Sequence, residues 1–399
     1  MSYIEKLLDG VEMEWKPLGE ISKLIRGNGL QKKDFTETGV PAIHYGQIYT
    51  YYGLSTIQTK SFVSPELAET LKKVDTGDIV ITNTSENLQD VGKAVVYLGK
   101  SQAVTGGHAT IIKPGELLLG KYFAHFTQTE DFASQKRKYA KGTKVVDVSA
   151  TDMSKILIPI PCPNNPKKSF EIQKEIVRIL DKFTELTTEL ATELAARKKQ
   201  YSYYRETLLS FEEGEVEWEN LGSLAENLDS KRKPVTSGSR EAGDIPYYGA
   251  SGIVDYVNGY IFDDDFLLIS EDGANLIARN TPIAFSISGK SWVNNHAHVL
   301  KFRTYAERRY VEYYLNSIDL SPYISGAAQP KLNRKNLDNI KLPNPSLQEK
   351  ERIVSILDKF DTLTTSISEG LPKEIELRKK QYEYYRDLLL TFPKNNKVP

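Results

Sequence analysis

The feature that most constrains this chain is an internal repeat. Ile176-Val-Arg-Ile-Leu-Asp-Lys-Phe183 recurs as Ile353-Val-Ser-Ile-Leu-Asp-Lys-Phe360, and Arg197-Lys-Lys-Gln-Tyr-Ser-Tyr-Tyr-Arg205 recurs as Arg378-Lys-Lys-Gln-Tyr-Glu-Tyr-Tyr-Arg386, each with a single difference. A duplicated unit dictates architecture before any motif does. A weaker echo, Glu14-Trp15-Lys-Pro-Leu18-Gly19 against Glu217-Trp218-Glu-Asn-Leu221-Gly222, starts each copy. Between these landmarks lie two long stretches that barely resemble each other. The pattern is variable, shared, variable, shared, with segments 1–163, 164–211, 212–345 and 346–392 and a tail at 393–399.

The shared segments read as long helices. Ile172, Ile176, Ile179, Phe183, Leu186, Leu190, Leu194, Tyr201, Tyr204, Leu208 and Phe211 recur at steps of three, four or seven, the seam of a coiled coil, and no Gly or Pro interrupts 170–211. The only comparable seam is the second copy, so the two are expected to pair as an antiparallel coiled coil. Ile176, Phe183, Leu190, Tyr204 and Phe211 of the first would then meet Ile353, Phe360, Tyr385 and Phe392 of the second, or dock a partner. The second copy contains Gly370-Leu371-Pro372. Gly and Pro cost about 1 and 3 kcal/mol inside a helix, so a break near 370 with Pro372 in a new first turn is expected.

The 399 residues suffice for two to four domains. The variable segments read as mixed α/β globules, so the expected class is α+β, two globules separated by two long helices in a pseudo-twofold arrangement. Asp78-Ile-Val-Ile-Thr82, Ala94-Val-Val-Tyr97 and Asp265-Phe-Leu-Leu-Ile-Ser270 read as buried strands, and 122–127 and 308–315 as helices. Ile158-Pro-Ile-Pro-Cys-Pro163 and Leu342-Pro-Asn-Pro345 read as hinges that stop helix and strand alike.

Catalytic constellations are missing. Gly-Lys-Ser at 99–101 and 289–291 would need a first phosphate-loop glycine where Ala94 and Ala284 stand. One cysteine, Cys162, and five histidines allow no disulfide framework or zinc finger. His108, His296 and His298 precede apolar runs at comparable places in the two globules, where hydrogen bonding is favoured over metal binding. Asp263-Asp-Asp265 reads as a solvated turn, and no metal site is expected. There is no apolar run near the ~18 residues of a membrane span and no signal-peptide pattern in MSYIEKLLDG, which points to a cytoplasmic protein.

Lys plus Arg number 52 against 53 Asp plus Glu, a net charge of −1 that gives no bulk sign of a nucleic-acid partner. The distribution is more informative. Lys136, Arg137, Lys138, Lys141 and Lys144 fall together before the first hinge, and Lys331, Arg334 and Lys335 before the second. Lys32 with Lys33, and Lys231 with Arg232 and Lys233, add clusters near the globule starts. Each cluster is either a solvated face or a DNA contact, and their recurrence in both globules favours DNA.

Two divergent globules between shared helices, with Leu-Asp-Lys-Phe and Arg-Lys-Lys-Gln-Tyr-x-Tyr-Tyr-Arg in both, resemble the specificity subunit of type I restriction-modification systems. Ser325-Gly-Ala-Ala-Gln-Pro-Lys-Leu-Asn333 and Leu337-Asp-Asn-Ile-Lys-Leu-Pro343 look like the family's ending of a target recognition domain. The first globule departs from that ending, with Lys141-Gly-Thr-Lys-Val-Val146 in its place. The resemblance implies that each globule reads half of a split, asymmetric double-stranded DNA target, while the helices hold the halves apart and dock two modification subunits. It further implies a chain with no catalytic centre and no cofactor of its own. The modification subunits would methylate adenine with S-adenosylmethionine, and restriction subunits would add ATP- and Mg²⁺-dependent translocation and cleavage. Thr184-Glu-Leu-Thr, Thr188-Glu-Leu-Ala and Thr192-Glu-Leu form a four-residue repeat that could act as a ruler for the spacer between half-sites. The competing reading is a coiled-coil adaptor with two unrelated protein-binding globules.

Overall fold

The computed structural model describes residues 3–212, 214–326 and 329–393; Ala327 and Ala328 of the second globule's ending and residues 394–399 of the tail lie outside them. Asn165 opens the first shared helix by accepting from Lys168 N at 3.1 Å, and Pro166 takes the first helical position, where its missing N–H costs nothing. The helix then runs unbroken from Pro166 to Leu209. The second copy forms two helices, Leu347–Thr365 and Gly370–Leu390. The expected break falls at 366–369, with Pro372 in the new first turn. Gly370 has φ +74°, and a Cβ there would stand 2.4 Å from the Thr362 carbonyl oxygen, so only glycine fits the turn.

The chain forms two units, Met1–Glu189 with Ile375–Pro399, and Leu190–Glu374. The division falls inside the shared helical segments, so each unit takes the first part of one and the last part of the other. In the first unit Phe183 stacks on Tyr385 with ring centroids 5.1 Å apart. In the second, Phe360 stacks on Tyr201 at 6.0 Å and on Tyr204 at 5.4 Å. Ile176 and Ile353 are fully buried, each in the core of its own unit, and Leu190 is half-buried. Phe392 lies beyond the helix end at Leu390, and the buried Leu389 and Leu390 close the first core in its place; Phe211, two residues past the helix end at Leu209, still packs against the second core.

The first unit contains a five-stranded sheet in the order Ser22–Arg26, Ala109–Pro114, Ile79–Thr82, Ala94–Tyr97, Ser55–Thr56. A four-stranded sheet in the order Ser61–Val63, Val40–Ile43, Ala103–Thr105, Lys72–Val74 accompanies it. The second unit repeats this plan: Glu226–Asn227, Ala297–Lys301, Phe266–Ser270, Ala284–Ile287 in one sheet, and Gly252–Val257, Ala242–Gly249, Lys290–Val293, Phe262–Asp263 in the other. Even the register is kept. Ile111 faces Val80 as Val299 faces Leu268, and Thr105 runs parallel to Ile43 as Val293 does to Tyr248. The expected strands and both expected helices, Gly120–Phe126 and Tyr305–Ser317, are present.

The proline-rich segments are strands and not hinges. Leu157–Pro161 pairs with Met13–Pro17, and Lys341–Asn344 with Glu217–Asn220, so the Trp-x-x-Leu-Gly start of each globule is zipped to its end. A two-stranded ribbon leaves alternate N–H groups without a ladder partner, and Pro159 and Pro161, two residues apart, exploit that spacing. Tyr122 and Tyr310, both buried, donate to the carbonyls of Pro159 and Pro343 at 2.8 and 3.1 Å, tying each globule's helix to its ribbon.

Candidate nucleic-acid interface

Each globule is fastened to its shared helix by the aspartate of Leu-Asp-Lys-Phe. In the first unit Asp181 accepts from Lys121 at 2.5 Å and lies 3.0 Å from Nε2 of the buried His125, whose Nδ1 is 3.0 Å from the Tyr382 hydroxyl. In the second unit Asp358 accepts from Arg309 at 3.0 and 3.1 Å, from Tyr313 at 2.6 Å and from Tyr305 at 2.7 Å. The donors sit at i and i+4 of the globule helix in both units, one face one turn apart. Burial opposes ionisation of Asp181, but His125 and Lys121 outweigh it and hold the carboxyl below its ordinary value. Burial likewise works against the Arg309 charge, and Glu312, Tyr313 and Asp358 more than restore it. Sequence reasoning quoted both aspartates without assigning them a role. The signal was there: an acid inside an apolar helical repeat, kept in both copies.

Beyond the central strands, each globule presents a closed seven-residue loop. Lys141 and Asp147 exchange backbone hydrogen bonds at 2.9 and 2.8 Å, and Ser325 and Lys331 do the same at 2.9 and 2.8 Å. The second residue of each is a glycine with positive φ, Gly142 at +96° and Gly326 at +83°. A Cβ would stand 2.1 Å from the Val145 carbonyl oxygen in one and 2.4 Å from that of Gln329 in the other, so the curl needs glycine. The first globule's ending therefore departs from the second's in sequence, while the closing backbone pair and the positive-φ glycine are the same in both.

The exposed candidate basic residues divide into three groups. Lys141 and Lys144 lie in the first loop and Lys331 closes the second, all exposed; Lys141 reaches Asp152 at 3.2 Å and Lys331 reaches Glu271 at 3.1 Å. Lys32, Lys33, Lys231, Lys233, Arg334 and Lys335 are also exposed, with Arg334 3.5 Å from Asp338. Arg137 and Lys138 are exposed on the Glu130–Tyr139 helix, where Arg137 pairs with Glu130.

Two candidates are corrected because they point inward. Arg232 bonds Glu271 at 2.6 Å and the Ala297 carbonyl at 2.8 Å and lies 3.3 Å from Asp229. His298, also buried there, meets Asp229 at 2.6 Å through Nδ1 and the Leu332 carbonyl at 2.7 Å through Nε2. Among the described residues Asp229, Glu271 and His298 are the one group with metal-ligand spacing, and the Arg232 guanidinium supplies the positive charge the two carboxylates require.

Lys136 is the second correction. It is 6% exposed, its ammonium donates to the Val91 and Gln89 carbonyls at 2.6 and 3.3 Å, and burial pushes its pKa from 10.5 down to about 8. Between those values the unfolded chain holds the proton more tightly than the folded one, so stability rises with pH across that window. In urea unfolding, the native protein should gain about 2 kcal/mol relative to Lys136→Met between about pH 7.5 and pH 9.5. A variant that keeps pace with the native protein would return Lys136 to the surface set.

With this geometry in hand, two stretches of the chain, 10–197 and 215–377, match the family described as type I restriction modification DNA specificity domain. The chain belongs to this family. It carries two of these specificity domains, each contributing a globule and shared helix. The specificity subunit of the type I restriction enzyme EcoR124I/EcoR124II from Escherichia coli is 37% identical, over 100% of this chain and 99% of that one. The EcoprrI specificity subunit from the same organism is 33% identical over 92% of each. A type I restriction-modification S subunit from M. genitalium shares the fold with TM-score 0.61 at 18% identity, covering 99% of this chain and all of that one.

Proposed function

We propose that this specificity subunit recognises a bipartite, asymmetric double-stranded DNA target, one half-site per unit, and delivers it to partner subunits that do the chemistry. The observation that carries this is the pairing of one backbone plan with two different surfaces: sheet registers, anchoring aspartates and closed loops recur, while the side chains around them differ. A scaffold that stays constant while its exposed residues change is what reading two different half-sites requires. Two modification subunits dock on the shared helices and use S-adenosylmethionine to methylate adenine, and restriction subunits add ATP- and Mg²⁺-dependent cleavage. This chain holds and orients; among the described residues the one cluster with metal-ligand spacing is occupied by Arg232 and does not suit Mg²⁺. No described helix is long and apolar enough to cross a membrane, which accords with work in the cytoplasm of a bacterium or archaeon.

The Thr-Glu-Leu-Thr repeat lies within the Pro166–Leu209 helix, where Thr187 and Thr188 return their hydroxyls to carbonyls four residues back at 2.8 Å. Inserting one further Thr-Glu-Leu-Thr should lengthen the helix by about 6 Å while preserving its face, and so lengthen the accepted spacer by one or two base pairs with both half-sites unchanged. Mapping methylated adenines in cells carrying the insertion checks this; an unchanged spacer removes the ruler role. Against the adaptor reading, the subunit assembled with its methyltransferase should retain target DNA over an equal length of scrambled DNA at physiological salt.

A further inference from the structure

Two exposed histidines occupy the same place in the two units. Gly106-Gly107-His108 leads into the strand Ala109–Pro114, and Asn294-Asn295-His296 leads into Ala297–Lys301. Each histidine's carbonyl accepts from the residue just past the end of the neighbouring strand, Asn83 N at 2.8 Å or Glu271 N at 2.9 Å. The same two residues accept from the segment just after the closed loop, Val148 N at 2.9 Å and Leu332 N at 2.7 Å. Histidine turn, strand end and glycine loop therefore form one face in each unit.

The rings are oriented alike. His108 Nδ1 lies 2.9 Å from the Thr84 hydroxyl, and His296 Nδ1 lies 2.9 Å from both carboxylate oxygens of Asp272. Thr84 and Asp272 hold equivalent positions, one residue past Asn83 and Glu271. Among the described residues no hydrogen-bond partner meets Nε2 of either ring, and His108 is exposed while the His296 side chain is 52% exposed. The contrast with His125 and His298 is sharp, since both are buried and use both ring nitrogens. An imidazole held at Nδ1 leaves Nε2 with a set direction: His108 presents Nε2–H when the Thr84 hydroxyl donates to Nδ1, and His296, whose Nδ1–H donates to the Asp272 carboxylate, presents Nε2–H as the imidazolium.

We infer that His108 and His296 are phosphate contacts, one at each half-site, with Nε2–H donating to a backbone phosphate oxygen of the duplex. The inference rests on the reading that the two units recognise different half-sites. Residues that tell bases apart must then differ between the units, and a residue alike in type, position and orientation serves what the half-sites share, the phosphate backbone. The surroundings fit that division. Beside His108 stand Arg26, whose Nε donates to the Gly107 carbonyl at 3.1 Å, and the loop carrying Lys144, whose Val145 lines the same cleft; the second face carries Lys331. The neighbours suited to base edges do differ. His108 borders a cleft of about 350 Å³ lined by Tyr45, Tyr49 and Asn87, whereas His296 follows the exposed Asn295.

The test uses the subunit assembled with its methyltransferase and a duplex bearing the mapped target. His108→Ala and His296→Ala should each weaken binding about tenfold and reduce the salt slope of log affinity by about one, with the methylated sequence unchanged at both half-sites. His108→Arg and His296→Arg should restore most of the affinity and the slope, which separates a lost contact from a damaged fold. Three results overturn the inference: unchanged affinity and slope, a changed base preference in one half-site, or failed methyltransferase assembly with normal DNA affinity in whatever complex forms. If the unmutated complex shows no sequence-specific retention, the DNA reading itself fails, a result distinct from these three.

Discussion

Replacing Asp358 with alanine should lower the melting temperature of the second unit by roughly 10 °C, the largest stability effect expected of any single side chain at the junctions described above. Arg309 is only 13% exposed in its side chain and divides its donors among Asp358, Glu312, the Tyr313 hydroxyl and, at 3.4 Å, Asp361. Removing Asp358 leaves a buried guanidinium half-compensated and takes the acceptor from Tyr313 and Tyr305. Breaking a buried pair from one side costs about 3–5 kcal/mol, and the remaining Glu312 and Asp361 contacts argue for the lower end. Asp181→Ala should cost less, because the Lys121 side chain is already 27% exposed and can turn to solvent, and His125 keeps its contact with Tyr382. Calorimetry on the full chain should resolve this inequality; equal shifts for the two variants would show that the anchors are not built as the contacts indicate.

Exchanging the surface of the second globule for that of another family member, while keeping Tyr310, Arg309, Tyr313 and the sheet register, should abolish methylation of the original target and create a new one differing in a single half. The Tyr310 bond to the Pro343 carbonyl, the Arg309 clamp on Asp358 and the ribbon of Glu217–Asn220 with Lys341–Asn344 hold the globule without using its exposed residues. The first half-site depends on a unit that meets its own helix through Asp181 and is untouched by the exchange. A hybrid that altered both halves, or neither, would show that specificity is not partitioned by unit. Sequencing of the modified bases gives the answer directly.

Much of this was readable from the residues. The duplication, the long helices, the break at 370 and the principal strands follow from periodicity and from Gly and Pro chemistry. The likeness of the two globules was not readable, because a buried sheet position asks only for an apolar side chain: Val80 and Ile111 do in one unit what Leu268 and Val299 do in the other. The prolines of 158–163 misled because proline breaks a central strand but not alternate positions of a two-stranded ribbon. Lys136 and Arg232 misled for a different reason. A run of basic residues on a helix or turn has an inner as well as an outer face, and sequence proximity does not say which member turns inward to meet the Val91 carbonyl or Glu271. His108 and His296 were noticed as comparable, but their orientation came only from Thr84 and Asp272, residues distant in sequence.

The central claim is that one chain reads two half-sites through two units built on one plan. Methylated adenines should be mapped across the source genome with the gene intact and with it deleted. The account predicts a single asymmetric motif, two short specified blocks separated by a spacer of fixed length, present with the gene and lost without it. A gene-dependent motif that is continuous or palindromic, or a methylation pattern indifferent to the deletion, would contradict it.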